Sequence, residues 1–215
     1  MTFCDDAWVA TAPIRQAIDR LPFLTGLRDG TLPGPSFGYY MAQDAHYLVE
    51  FGRVLAIAAG QASDPDELLF WVKSAHSAIL VERALHASHV ADFDATPMSP
   101  TCTAYTSFLL ALTTAGCYPA LAAGVLPCFW IYEDVGRRLK DQVTDLAAHP
   151  YGDWIATYGD PDFAAATNDA KAIVDRLAAG SGPATTERMR RAFTSAARYE
   201  WMFWDAAWHQ EPWPA

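Results

Sequence analysis

Residues 63–89 read SDPDELLFWVKSAHSAILVERALHASH, and this stretch decides the fold class. Asp64 can cap a helix, Pro65 suits a first helical turn, and Glu67 stands three residues past the cap, as in a capping box. Residues 66–89 then contain neither Gly nor Pro, so nothing interrupts the helix once begun. The punctuation recurs. SPTCTAYTSFLLALTTAG (99–116) pairs Ser99 with Pro100 and closes on Gly116, and GDPDFAAATNDAKAIVDRLAAG (159–180) pairs Asp160 with Pro161 and closes on Gly180. SFGYYMAQDAHYLVEFGRVLAIAAG (36–60) follows the turn-rich RDGTLPGPS, and TTERMRRAFTSAARYEWMFWDAAW (185–208) follows a Gly/Ser/Pro loop. Shorter helices are expected around 8–21, 117–124 and 127–146, with longer loops at 90–98 and about 147–159. No alternating strand-length run competes with them. The fold class is therefore all-α, a single-domain helical bundle over residues 1–215.

Bulk properties narrow the partners. The chain has 215 residues, enough for a full core, and 52% hydrophobic against 19% charged residues reads as globular. Fifteen basic against 25 acidic residues give a formal charge of −10, which disfavours nucleic acid and anionic membrane surfaces as partners. Residues 95–132 lack Asp, Glu, Lys and Arg, but four prolines and glycines between 97 and 119 and two more at 124 and 127 divide them, so two buried helices are expected instead of a membrane span. No Arg-led apolar segment opens the chain, so no signal peptide is expected. Cys4, Cys102, Cys117 and Cys128 are too irregularly spaced for a zinc set, and reduced thiols in the cytoplasm are the expectation.

Three stretches could carry chemistry. In LPCFWIYEDVG (126–136), Pro127 at a helix start would place Cys128 in the first turn, where free N–H groups favour a thiolate; the alternative is a structural buried thiol. In YYMAQDAHYLVEF (39–51), Asp44, Tyr47 and Phe51 share a face, so Asp44 is a ligand contact or the rim of an aromatic stripe. In RYEWMFWDAAWHQEPW (198–213), Glu200 shares a face with Phe203, Trp204 and Ala207. A carboxyl ringed by aromatics should hold its proton to higher pH, which suits an acid or base, unless Arg198 or Arg53 pairs with it. Glu82, His86 and His89 share another helix face, but the Glu-x-x-His motif is absent, so they read as a solvated face and no metal is expected.

Taken in order, GTLPGPSFGYYMAQDAHYLVEF, PTCTAYTSFLL, LPCFWIYEDVG, HPYGDWIATYGDPDF and RYEWMFWDAAW resemble the TenA family, thiaminase II, over roughly residues 20–210. The resemblance implies a haem-oxygenase-like helical fold without haem, no cofactor, and a homotetramer. It implies an aminopyrimidine aminohydrolase of thiamin salvage, converting aminomethyl aminopyrimidine to hydroxymethyl pyrimidine and ammonia, with thiamin cleavage as a second activity. Cys128 places the chain in the cysteine-containing branch and would be the nucleophile. Glu200 would be the acid/base, Asp44 would hold the ring's amino group and adjacent nitrogen, and Tyr47 and Tyr105 would line and stack on the ring. Tyr132, Tyr158 and Phe203 would complete the pocket, with Trp130, Trp204 and Trp208 as candidates for narrowing its mouth. Two alternatives on the same fold are a cofactorless oxidase like the pyrroloquinoline quinone synthesis protein and a non-catalytic regulatory or pyrimidine-binding protein.

Overall fold

The computed structural model describes residues 1–89 and 96–214, with backbone alone for 81–89. The described residues form helices and contain no strand. Four short helices, α1 (Phe3–Ala10), α2 (Ala12–Ile18), α3 (Pro22–Asp29) and α8 (Gly152–Tyr158), accompany six long ones. The long ones are α4 (Gly34–Gln61), α5 (Pro65–His89), α6 (Pro100–Thr114), α7 (Tyr118–Gln142), α9 (Pro161–Ala179) and α10 (Pro183–His209). Glu82, His86 and His89, read above as a solvated face, have side chains outside the described residues. No described helix is long and apolar enough to cross a membrane.

The expected starts hold. The Asp64 carboxylate accepts from the backbone N–H of Asp66 and Glu67, at 2.8 and 3.3 Å, Ser99 caps α6 through Cys102 N–H, and Asp160 caps α9 through Asp162 N–H. Glu67, however, does not complete a capping box. Its buried carboxylate accepts from the Tyr118 hydroxyl at 2.6 Å and the Arg176 guanidinium at 2.7 Å, tying α5 to α7 and α9. Trp71, fully buried, donates its indole N–H to the same Tyr118 oxygen.

Three boundaries differ from the sequence reading. The segment expected as two helices, 117–124 and 127–146, is the single helix α7 with Pro127 inside it. An interior proline costs about 3 kcal/mol by removing the bond to the carbonyl four residues back. Leu121, Val125, Leu126, Ile131 and Val135 are nearly fully buried along the same helix, at roughly 1.5–3 kcal/mol per side chain, which outweighs it. Residues 147–159, read as a loop, contain α8. The stretch 8–21 divides into α1 and α2, and α3 follows between Pro22 and Gly30, whose φ of 70° ends it in the left-handed region.

A short connection folds α5 back along α4, α10 lies along α7, and α9 covers α7 from the other side. One main core runs through them. Where α7 meets α8 the backbones touch: a Cβ at Gly136 would stand 2.6 Å from the Cβ of Tyr158. Gly136→Ala is expected to destabilise the fold by about 1–3 kcal/mol through overpacking, read as a lower midpoint in denaturant unfolding.

Candidate active site

A cavity of about 670 Å³ opens between α4, α5, α7, α8 and α9. Asp44, Leu48 and Phe51 reach it from α4, Cys128 and Tyr132 from α7, and Tyr158 from α8. Helical spacing explains the grouping: Asp44, Leu48 and Phe51 stand four and three residues apart, and Cys128 and Tyr132 four apart, so each set forms one stripe. α5 and α9 supply the opposite wall through Phe70, Lys73, Asp162, Phe163 and Asp169.

Behind the cavity lining lie further buried aromatic rings. Tyr47 lies between Tyr105, with ring centroids 5.0 Å apart, and Phe203, at 5.7 Å. The Tyr105 hydroxyl donates to the Glu200 carboxyl at 2.6 Å, and both residues are almost fully buried. Tyr132 packs against Tyr158 at 4.9 Å and Trp204 at 4.8 Å. Four of the eight sequence-predicted residues (Cys128, Asp44, Tyr132 and Tyr158) line the cavity. The other four, Glu200, Tyr47, Tyr105 and Phe203, stand directly behind them without lining it. Neither arginine weighed for Glu200 reaches it: Arg198 is exposed, and Arg53 is exposed and pairs with Glu50.

The electrostatics follow from burial. Glu200 is pushed up to about 8 because desolvation disfavours its carboxylate and the Asp44 charge adds to that, while the Tyr105 hydrogen bond offsets part. The Cys128 thiol is raised well above the ordinary thiol range, first by burial and then by the Glu200 charge. The Tyr47 hydroxyl, beside the thiol without full hydrogen-bond geometry, lowers it only in part. This reverses the expected cause. With Pro127 inside α7, Cys128 sits in mid-helix, its carbonyls and amides engaged, and no helix N-terminus stabilises a thiolate there. Tyr47, Tyr105, Tyr132 and Tyr158 are likewise raised well above the ordinary phenol range by burial, so they remain hydrogen-bond donors at neutral pH.

Of the tryptophans considered for the mouth, none lines the cavity. Trp130 stacks on Trp8 at 4.0 Å, and Trp204 is buried behind Tyr132. Phe70 and Lys73 were not legible because α5 carries apolar residues at 68–72 without a break, so no face stood out. Phe163 ends the stretch HPYGDWIATYGDPDF, where its aromatic character was the available signal. Among the described residues no group of three potential ligands is placed to hold a metal.

A sequence profile described as the TENA/THI-4/PQQC family matches residues 10–210. The thiamine biosynthesis multifunctional protein ThiED of Corynebacterium glutamicum is 38% identical over 200 residues, 93% of this chain but 26% of that protein's length. The chain thus spans about a quarter of that relative. The aminopyrimidine aminohydrolase of Bacillus subtilis is 32% identical over 200 residues, covering 89% of this chain and 84% of that one. A Shewanella denitrificans domain of unknown function with a heme oxygenase-like fold superposes with a TM-score of 0.73 at 13% identity, over 96% of this chain and 92% of that one; that likeness concerns the fold alone.

The raised Glu200 has a consequence for stability. The folded protein keeps a proton at Glu200 up to about pH 8, whereas the unfolded chain loses it near the ordinary 4.5. Between those values the folded state binds the extra proton, so stability falls as pH rises through the window. Denaturant unfolding at about pH 5 and pH 8 should show this loss in the wild type and a smaller one in Glu200→Gln.

Proposed function

The chain belongs to the TENA/THI-4/PQQC family, and on that premise we propose that it is an aminopyrimidine aminohydrolase, a thiaminase II of thiamin salvage, acting through a covalent adduct on Cys128. The observation that carries this reading is the Cys128 thiol and the Asp44 carboxyl lining one aromatic cavity, with the buried Glu200 carboxyl behind them. Acyl or phosphoryl chemistry has no comparable support in the cavity. Lys73 is the one basic side chain lining it among the described residues, and no histidine does, which weighs against an oxidase handling a polycarboxylated substrate.

The chemistry runs as follows in this reading. Asp44 holds the amino group and ring nitrogen of the flat heterocycle, and the aromatic rings pack against its faces and keep bulk water out. The Cys128 sulfur bonds to an electron-poor ring carbon while the thiol proton passes to a ring nitrogen. Because burial holds the thiol neutral, the thiolate is not stored beforehand; proton loss accompanies attack. The exocyclic carbon–nitrogen bond then breaks, and Glu200, still largely protonated near neutral pH, protonates the departing amine. Water adds to the exocyclic carbon and gives its proton back to Glu200. The carbon–sulfur bond opens, the sulfur regains a proton from the ring nitrogen, and the balance is substrate plus water giving hydroxymethyl pyrimidine plus ammonia. The outer cavity, toward Lys73, Asp162 and Asp169, supports the reading that a second ring, as in thiamin, is accommodated.

Residues 1–215 act as one domain in the cytoplasm, where the four free cysteines stay reduced. A homotetramer is part of the same proposal. α5 presents Leu68, Leu69 and Val72 at 43%, 48% and 48% exposure on the side away from the cavity lining, an apolar face that a second copy would cover.

Ammonia release from aminomethyl aminopyrimidine is expected for the wild type, and Cys128→Ser should lower it by at least about a thousandfold. A pyrimidine should still raise the melting temperature of that variant. Full activity in Cys128→Ser would remove the nucleophile assignment; melting shifts without any turnover in the wild type would favour a binding protein. For the assembly, light scattering should give a tetramer mass for the wild type and a smaller mass for Leu69→Glu/Val72→Glu.

A further inference from the structure

Gln43 precedes Asp44 on α4 but does not point into the cavity. Its side chain is buried and both ends are used: the amide nitrogen donates to the Pro97 carbonyl at 3.0 Å, and the amide oxygen accepts from Ser99 N–H at 2.7 Å. Ser99 is the cap of α6, accepting in turn from Cys102 N–H at 3.1 Å, and the Cys102 thiol donates back to the Gln43 carbonyl at 3.5 Å. Two neighbours pin the same segment more lightly. His46 Nε2 lies 2.7 Å from the Thr96 carbonyl, and the exposed Trp213 donates to the Met98 carbonyl at 2.8 Å. Among the described residues Gln43 grips it at two points, and just beyond, in the first turn of α6, Thr101 N–H donates to the Glu211 carboxylate at 3.0 Å.

We propose that Gln43 is a positioning residue whose carboxamide locks the start of α6 to α4 and thereby holds the Tyr105 hydroxyl on the Glu200 carboxyl. The inference rests on the function proposed above only for its kinetic consequence. Geometry supplies the reason. Tyr105 lies six residues past the Ser99 cap, about 9 Å along the helix axis. A slip of α6 by one residue would carry its hydroxyl about 1.5 Å along the axis and turn it by about 100°, and a 2.6 Å bond does not survive that. Stacking on Tyr199 and tilted packing against Tyr47, at 5.0 Å each, orient the Tyr105 ring but tolerate sliding. The polar link at Gln43 does not. One carboxamide therefore sets the helix bearing Asp44 and Tyr47 in register with the helix bearing the partner of Glu200.

The groups that act on Glu200 are Asp44 and Tyr47 from α4, Tyr105 from α6, and Cys128 and Tyr132 from α7. Among the described residues Tyr105 donates a hydrogen bond to it at 2.6 Å, and that bond favours the ionised form. Loosening Tyr105 should therefore move the Glu200 titration upward.

The test is carboxyl ¹³C NMR of the glutamate-labelled full chain, with Glu200→Gln identifying the signal. Gln43→Met, of similar length but without polar atoms, should raise the Glu200 midpoint by about one unit, a tenfold gain in proton affinity. In a Tyr105→Phe background the same change should add no further shift, since both act through one bond. Ser99→Ala, which removes the cap but leaves Gln43, should move the midpoint the same way by less and guards against poor folding of Gln43→Met. With aminomethyl aminopyrimidine, kcat should fall about tenfold and KM stay within about threefold, because Asp44 remains in place. A lower melting temperature with an unmoved Glu200 titration, or an equal shift in the Tyr105→Phe background, would overturn the proposal. If the titration shifts as described while the wild type turns over no pyrimidine, the positioning role stands and the proposed function alone fails.

Discussion

A buried carboxyl with a phenol as its partner sets the terms for this structure. Glu200 is almost fully removed from water, and the Tyr105 hydroxyl at 2.6 Å is a neutral donor, not a cation. An arginine in that place would have held the carboxylate ionised and acid-silent at neutral pH. A phenol leaves desolvation in charge, so the group titrates near 8 and can both hold and return a proton. Everything around it serves that condition: α6 must deliver Tyr105, α10 must deliver Glu200, and the aromatic shell must keep water from reaching either.

The cavity shows the same division between what is wet and what is dry. Its inner end is built of Tyr132, Tyr158 and Phe51, backed by further rings, while its outer rim carries Lys73, Asp162 and Asp169. The half-buried thiol of Cys128 lines the cavity beside these rings, where desolvation first and the Glu200 charge second hold its pKa above the ordinary thiol range. The Glu67 carboxylate, bonded to Tyr118 and Arg176 with Trp71 behind it, ties α5 of the far wall to α7 and α9 without entering the cavity.

Much of this was legible along the chain because helices announce their ends. Asp64, Ser99 and Asp160 cap where their sequence positions require, since a short polar side chain next to proline has few other uses at that spot. Pro127 broke the rule for a reason outside local sequence. Local propensity ends a helix there, but the burial of α7 between α9 and α10 is worth more than one lost hydrogen bond, and propensity cannot weigh a neighbour it does not contain. The missed α3 and α8 are short, and short helices owe their existence to packing more than to pattern.

The chemical identities in the site, a thiol, two carboxyls and a set of tyrosines, were decided by the sequence, as was their distribution over separate helices. So was the desolvation of Glu200, because a carboxyl spaced among Phe203, Trp204 and Ala207 loses water on any helix that buries that face. Which residues meet was decided by tertiary structure alone. That Tyr105 and not Arg198 or Arg53 faces Glu200, that Cys128 lies in mid-helix with its thiol held neutral, and that Phe70 and Lys73 close the far wall depend on how α5, α6, α7 and α10 cross. Pairing between distant helices is fixed by the packing of whole surfaces, and a linear pattern records the surfaces but not their partners.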